Sequence, residues 1–363
     1  MAKYRSVRDL DWPLLVISLI ISAVGTLQIY SATRDTAWRD AWWKQAAAVG
    51  LGLVLMWIVA SIDYHSLLGQ VPLLYGVSVC TLAAVFIVGK TVFGSRRWIP
   101  LVGGIHLQVS EFVKIVIVLL VARYLTELRS ERVEWRDLLK LGGLVGLPMV
   151  LVLKQPDLGT ALTYLPILGI GLLLVGLRWQ HLVTILVVAA MLLPVGYFFL
   201  KDYQKNRLVS FIDPSKDPKG TGYQVIQSKI AIGSGGIWGM GVTRGLQTQL
   251  RFLPVPHQDF IFAAFAEEHG FVGVTVILGL YFLLLMQILQ NAQAAPDRAG
   301  MYICMGVCAL LLFHVLVNVG MSVGRMPVAG IPLPLMSSGG SSVLTVFMLL
   351  GLVNNVRLRR FVN

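Results

Sequence analysis

The sequence predicts an all-α integral membrane protein, a single polytopic unit of about ten transmembrane helices over residues 1–363. Three observations carry this reading. Of the 363 residues, 56% are apolar and only 13% charged, and the mean hydropathy is +0.75; a soluble domain of this size needs far more charge to cover its surface. Apolar stretches of about 20 residues, the length that carries a helix across a bilayer core, recur from end to end. The lysines and arginines favour alternate connections.

Taken in order, the spans are expected at about 12–31, 45–62, 71–89, 107–125, 138–153, 158–177, 181–200, 268–289, 301–323 and 341–356. The first run, Trp12 to Ser31, is long enough to be kept as a span rather than removed as a leader. An even number puts both termini on one side. With the N-terminus inside, the inner segments carry thirteen basic residues and the short outer segments eight. The positive-inside rule therefore makes both termini cytoplasmic. Trp42, Trp43, Trp98 and Trp179 fall where indole prefers to sit, at the interfaces. The one long connection, 201–267, is read as a large extracytoplasmic loop with eight basic residues against Asp202, Asp213 and Asp217. The formal net charge of +12 points to cytoplasmic anchoring and to anionic headgroups or phosphates. Without a basic soluble domain, nucleic acid is not an expected partner. Cys80, Cys304 and Cys308 lie in apolar runs and form neither a disulfide framework nor a zinc pattern.

Ionisable groups in or beside spans are costly and therefore informative. Gly94-Ser95-Arg96-Arg97-Trp98 leads into Ser110-Glu111-Phe112-Val113-Lys114. Glu111 and Lys114, three apart, share a helix face, either as a structural ion pair or as the lining of a polar cavity. Arg96 and Arg97 are interface anchors or a phosphate grip. In Lys154-Gln155-Pro156-Asp157, Pro156 stops one helix and Asp157 caps the next. Tyr223 to Ile232 reads as a short amphipathic helix. The following Gly233 to Gly241 stretch lacks dinucleotide spacing and is either a flexible connector or backbone that approaches a ligand. Asp259 stands just before the eighth span, as a helix cap or as a general base of raised pKa. Glu267-Glu268, in an apolar context, satisfies backbone at a helix break. The Gly330 to Ser342 stretch, rich in Pro, Gly and Ser, suggests a broken or re-entrant segment that lines a cavity.

The blocks GSRRWI with SEFVK, QPDLGTAL, FIDPSKDPKGTGYQVIQSKIAIGSGGIWGMG, LPVPHQDFIFAAFAEEHG and GIPLPLMSSGGSS, in this order and over most of the chain, resemble the SEDS family (shape, elongation, division and sporulation). LDWPLL, QIYSAT, IQSKIAIGSGG and NVGM resemble its elongation branch, the RodA-like members, more than the FtsW-like division branch. Gln258 stands where the family usually shows Thr, and Ser338 where it usually shows Tyr.

The resemblance implies a glycosyltransferase that polymerises lipid II into glycan strands at the outer face of the cytoplasmic membrane. It also implies a class B penicillin-binding protein as partner, further elongation-complex membrane proteins, and a divalent cation (Mg2+ or Mn2+) whose ligands no spacing identifies. By resemblance and position Asp259 is the catalytic base. Arg96, Arg97, Lys114, Lys154 and the loop cations Lys229 and Arg244 are candidates for phosphate contact. Glu111, Gln155, Asp157, Ser337 and Ser338 complete the substrate-binding set. The same charges and broken segment would also serve a lipid II flippase, which needs no base, or a scaffold that recruits the penicillin-binding protein.

Overall fold

The computed structural model describes residues 10–92, 95–100, 106–128, 133–199, 202–217 and 220–360. The chain opens with α1 (Trp12–Thr33), α2 (Ala41–Ser61), the short α3 (Tyr64–Gly69) and α4 (Val71–Val88). Asp11 caps α1, its carboxylate accepting from the Leu14 N–H at 3.2 Å, and Pro72 stands in the first turn of α4, where its missing N–H costs nothing.

Next come β1 (Lys90–Val92), β2 (Ser95–Pro100) and β3 (His106–Gln108), a three-stranded antiparallel sheet with Lys90 opposite Trp98 and Trp98 opposite Gln108. This corrects the all-α expectation. The Arg-Arg-Trp-Ile stretch, which by sequence suggests an interface connection, pairs its backbone across β2 and presents Arg97 and Trp98 to the interior of the site.

The bundle continues with α5 (Val109–Thr126), α6 (Trp135–Lys154), α7 (Leu158–Leu162), α8 (Tyr164–Val175) and α9 (Trp179–Phe199). Gly176 ends α8 in the left-handed conformation, φ 88°, which only glycine adopts without cost. The segment expected as one large loop is largely helical: α10 (Asp202–Ile212), a 3-10 turn at Pro214–Lys216, α11 (Thr221–Ser234) and α12 (Leu246–Gln249). The amphipathic helix expected from Tyr223 lies within α11. The last three helices are α13 (Ile261–Gln293), α14 (Arg298–Ser322) and α15 (Gly340–Arg359). α13 starts before the expected 268, because a helical stretch from Ile261 precedes a kink at Gly270, φ 64° and ψ −166°.

Each of the ten expected spans falls on helix. Seven of the described helical stretches are long and apolar enough to cross a membrane by length and composition: α1, α2, α4, α7 with α8, α13, α14 and α15. α5 is equally long but carries Glu111, Lys114 and Arg123, and α6 carries Arg136, Asp137, Lys140 and Lys154.

α15 is the centre of the core, with Val343, Phe347, Leu350, Leu352 and Val353 buried. It crosses α2 closely because glycines face the partner helix: a Cβ on Gly351 would lie 2.7 Å from the Met56 carbonyl oxygen, and one on Gly52 would lie 2.6 Å from the Phe347 ring. Small residues at such crossings are how helices gain packing where lipid offers no hydrophobic drive. The end of the bundle that holds the N-terminus is tied by polar groups. Asp11 accepts from Gln287 at 2.9 Å and pairs with Arg357 at 3.1 Å. Tyr64 donates to Asp297 at 2.8 Å, and Arg359 pairs with Asp63 at 2.9 Å.

The clash at Gly351 is with rigid backbone. Gly351→Ala is expected to destabilise the protein by about 1–3 kcal/mol, read as a lower Tm in detergent. Gly50→Ala, where an added methyl meets open space, should leave Tm unchanged.

Candidate active site

Two departures from regular helix shape the end of the bundle opposite to the N-terminus. The first is the break in α13. At Gly270 the helix turns, and the glycine-rich stretch after α11 clasps it through backbone. Met240 N–H donates to Glu267 O at 3.0 Å and Gly241 N–H to Glu268 O at 2.9 Å; Phe271 N–H donates to Gly236 O at 2.9 Å. Gly239 and Gly270 lie so close that a Cβ on either would fall within 2.3 Å of the other segment's backbone. The stretch is therefore neither a flexible connector nor a ligand cradle. Glu267 accepts from the Gln247 N–H at 2.6 Å and from the Thr248 N–H and hydroxyl at 3.1 and 2.7 Å, at the start of α12. Glu268 accepts from the Thr243 N–H at 3.2 Å and from the Ser31 hydroxyl. Both carboxylates satisfy backbone N–H groups, as expected of them, but those of the segment packed against the break rather than those of α13 itself.

The second departure is the irregular run from Gly324 to Gly339 between α14 and α15. It is buried at Ile331, Leu333, Leu335, Met336 and Ser337, and its carbonyls are taken up by side chains. His314 Nδ1 lies 3.0 Å from Pro332 O, Asn318 donates to Ile331 O at 2.8 Å, and Tyr281 donates to Pro334 O at 2.6 Å.

Between these features lies a cavity of about 830 Å3. Its lining includes Asp259, His257, Gln258, Arg97, Trp98, Gln108, Glu111, Asp157, Thr160, Arg207, Arg251, Trp38, Gly330, Ser338, Ser341 and Ser342. α5, α13 and α15 all begin at this end, and the positive ends of their dipoles favour an anion there. Arg251 and Val255, in the turn that leads to Asp259, hold φ at 62° and 45°. Such conformations are costly in a non-glycine residue and cluster at functional sites.

The acidic groups of the cavity differ sharply. Asp157 caps α7 through the Thr160 N–H at 3.2 Å, and also accepts from the Thr160 hydroxyl at 3.0 Å and Gln108 at 2.8 Å; Arg97 stands 3.6 Å away. Arg97 also donates to Pro156 O at 2.6 Å. Glu111 is held by Lys114 at 2.6 Å, and Lys114 also meets His314 Nε2 at 3.3 Å. Asp259 is different: among the described residues its carboxylate accepts no hydrogen bond, and Oδ2 rests near Gly330. Burial holds its carboxyl above the ordinary Asp value of 3.8; Arg207 and Arg97 pull it down, and Asp157 pushes it up. His257 stacks near Trp38, ring centroids 5.8 Å apart. Burial lowers its pKa to about 4, so it is neutral at pH 7.

Of the residues singled out in the sequence, Asp259, Arg97, Glu111, Asp157 and Ser338 line one cavity. Lys114 stands behind Glu111, buried. Ser337 stands behind the Asp259 turn, donating to Gln258 O at 2.8 Å. Lys154, Lys229 and Arg244 are exposed and outside the cavity lining, Lys229 lying instead against Gly324. Gln155 is buried and donates to Leu82 O at 2.9 Å, a bond that joins α6 to α4. Arg96 lies opposite Thr91 in the sheet, and its side chain is outside the described residues. Arg207 is one basic residue among the eight of its segment, and nothing in the sequence sets it apart; Thr160 and Asn318 fall inside the quoted blocks QPDLGTAL and NVGM, where nothing marks them out individually, and Gln108 carries no signal. No group of three or more His, Cys, Asp or Glu among the described residues could hold a metal ion.

The profile of the FtsW/RodA/SpoVE family, described as cell cycle protein, matches residues 11–360. The chain is 39% identical over 362 residues to the peptidoglycan glycosyltransferase MrdB of Escherichia coli K12, covering 97% of this chain and 94% of that protein. Its fold is similar, at a TM-score of 0.84 and 37% identity over 98% of this chain and 99% of the other, to a chain from a structure described as structural coordination of polymerization and crosslinking by a peptidoglycan synthase complex. It is also similar to the crystal structure of the Thermus thermophilus rod shape determining protein RodA, at a TM-score of 0.72 and 31% identity over 97% of this chain and 98% of the other. On sequence and fold together, the chain belongs to the FtsW/RodA/SpoVE family of cell cycle proteins.

Proposed function

We infer that this protein is a peptidoglycan glycosyltransferase that polymerises lipid II into glycan strands at the outer face of the cytoplasmic membrane, with Asp259 as its base. The activity is supported by the named relative, and the assignment of Asp259 by one observation: it is the cavity carboxylate that is neither ion-paired at short range nor committed to capping, and it faces Arg97 and Arg207. Sidedness rests on the basic residues of the connections, which favour ten spans with both termini cytoplasmic and the cavity outside. The elongation role is supported by the likeness to MrdB and RodA. The synthase complex supports a class B penicillin-binding protein as partner. This chain has no Ser-x-x-Lys of the transpeptidase type, so crosslinking falls to that partner.

In the reaction, the 4-hydroxyl oxygen of one GlcNAc attacks the anomeric carbon of a lipid-linked MurNAc. The new C–O bond forms as the bond to pyrophosphate breaks, and the electron pair leaves on the pyrophosphate. Asp259 accepts the hydroxyl proton. The leaving group departs unprotonated because cations neutralise it, so no second carboxyl is needed as general acid, unlike in glycosidases. Arg97 and Arg207 supply that charge, and direct displacement inverts the anomeric centre. The acidic and histidine residues of the cavity do not form a protein-borne metal site, and we propose that a divalent cation arrives as counter-ion of the pyrophosphate.

Purified protein with its partner should make polymer from lipid II in detergent. Asp259→Asn should reduce the rate by about 10²–10⁴-fold, the usual worth of a general base; equal polymer from this variant would overturn the assignment and favour a flippase, which needs no base.

A base must be ionised, so activity is present above its pKa and lost as pH falls through it. With the Asp259 carboxyl raised, the acid limb of the kcat/KM profile should stand above that of an ordinary Asp. Arg207→Gln removes the cation that most lowers the Asp259 pKa and should move this limb to higher pH. An unmoved limb would show that Asp259 does not set it.

A further inference from the structure

The Asp259 turn is held in an unusual way. Three successive carbonyls, those of His257, Gln258 and Asp259, each accept a hydrogen bond from one block. The Ser338 N–H donates to His257 O at 2.9 Å, the Ser337 hydroxyl to Gln258 O at 2.8 Å, and the Asn318 amide to Asp259 O at 3.0 Å. The Ser337 hydroxyl also accepts from the Leu333 N–H at 2.8 Å, so one oxygen ties the irregular run to the turn. Asn318 does more. It is fully buried, and its Nδ2 donates to Ile331 O at 2.8 Å as well as to Asp259 O. Two carbonyl acceptors on one side fix which way the amide points, since the flipped form would set oxygen against oxygen. Its Oδ1 has no hydrogen-bond partner among the described residues, so the side chain forgoes one bond while it makes the other two.

These two bonds join the residue before Phe260 to the residue after Gly330. Gly330, at φ 68°, faces the Asp259 carboxylate: a Cβ there would lie 3.8 Å from Oδ2. The amide thus helps set the spacing between the carboxylate and the facing wall, from a helix that itself lines none of the cavity. A buried carbonyl left without a donor costs about 1–3 kcal/mol; without this amide two would be bare, and the turn would part from the run.

Resting on the reading of Asp259 as base, we propose that Asn318 is a positioning residue for the glycosyl transfer: by bridging Asp259 O and Ile331 O it keeps the Asp259 carboxylate facing Gly330 in the cavity wall, with Ser337 as its second support.

The groups that face Asp259 are Arg207 of α10, Arg97 of β2 and Asp157 of the α6–α7 connection, with neutral His257 on its own turn. Among the described residues the Asn318 side chain is hydrogen-bonded only to the Asp259 and Ile331 carbonyls, so a change at Asn318 reaches the carboxylate through its placement. The test compares wild type, Asp259→Asn, Asn318→Leu, Asn318→Gln and Ser337→Ala as full chains with the partner in detergent, with lipid II as substrate and kcat, KM and the pH profile as readouts. Asn318→Leu keeps the volume and removes both donors. Its kcat should fall about 10–100-fold, as small misplacements of a reacting group do, with KM changed less than about threefold. Its acid limb should move to lower pH, as the carboxylate swings out towards water. Asn318→Gln keeps the donors on a longer arm and should recover part of kcat and return the limb towards wild type.

A fall in activity that is uniform across pH, with the limb in place and Asn318→Gln no better, would mean a merely structural residue and overturn the proposal; so would a wild-type kcat in Asn318→Leu. If Asn318→Leu does not fold, Ser337→Ala decides: a lower kcat with the limb moved down supports the proposal, and an unchanged profile overturns it. An active Asp259→Asn would remove the base assignment and this proposal with it, whereas an inactive Asp259→Asn beside a wild-type Asn318→Leu overturns this proposal alone.

Discussion

In a chain this apolar, the structure depends on one constraint: backbone N–H and C=O groups away from water must find partners within the protein. Helices meet it without help. Two of the places where the chain leaves the helix, at Gly270 and from Gly324 to Gly339, meet it with side chains and with other backbone. Glu267 and Glu268 take up N–H groups of the segment packed on the α13 break, and His314, Asn318 and Tyr281 take up carbonyls of the irregular run. These two departures bracket the cavity. The polar groups that repair the backbone stand outside the cavity lining and hold in place the segments that form it.

Within this frame the charges sort by what they are asked to satisfy. Asp157 is spent on capping and on Gln108, and Glu111 on Lys114, so neither is available to a substrate hydroxyl. Asp259 is left open, with burial and Asp157 raising its pKa and Arg207 and Arg97 opposing them. In that balance the carboxyl sits above the ordinary Asp value, and in its ionised form it is a better proton acceptor than one in water. His257, which by residue type looks the more natural base, is kept neutral and weakly basic by its burial against Trp38. The cavity therefore holds one proton acceptor fit for the task, placed beside the cations that a pyrophosphate leaving group requires.

Much of this was legible in the sequence, and the residues show why. The ten apolar stretches all fall on helix because length and hydropathy act locally. The backbone-satisfying role of Glu267-Glu268 and the broken segment near Gly330 could be read because charge, proline and glycine at membrane depth demand an explanation, and Asp259 could be singled out as a candidate on the same ground. Other readings failed where neighbours in sequence diverge in space. Lys154 is adjacent to Gln155 and close to Asp157, yet it points away from the cavity that Asp157 lines. The glycine-rich stretch suggested a connector or a ligand contact, and proved to be a backbone clasp on a helix break whose existence depends on a distant segment. The small sheet was missed because its strands are three to six residues long, too short for alternation to stand out.

The sequence by itself determined the membrane-helical class and the family, and singled out Asp259 as a candidate, because these follow from composition, local periodicity and motif blocks. Only the tertiary structure decided which charges meet. Arg97, Asp157, Arg207 and Asp259 come from four separate segments, and Asn318 reaches the Asp259 turn from a helix outside the cavity. Hydrogen bonds and electrostatic forces act over a few ångströms of space, and distance along the chain says almost nothing about that.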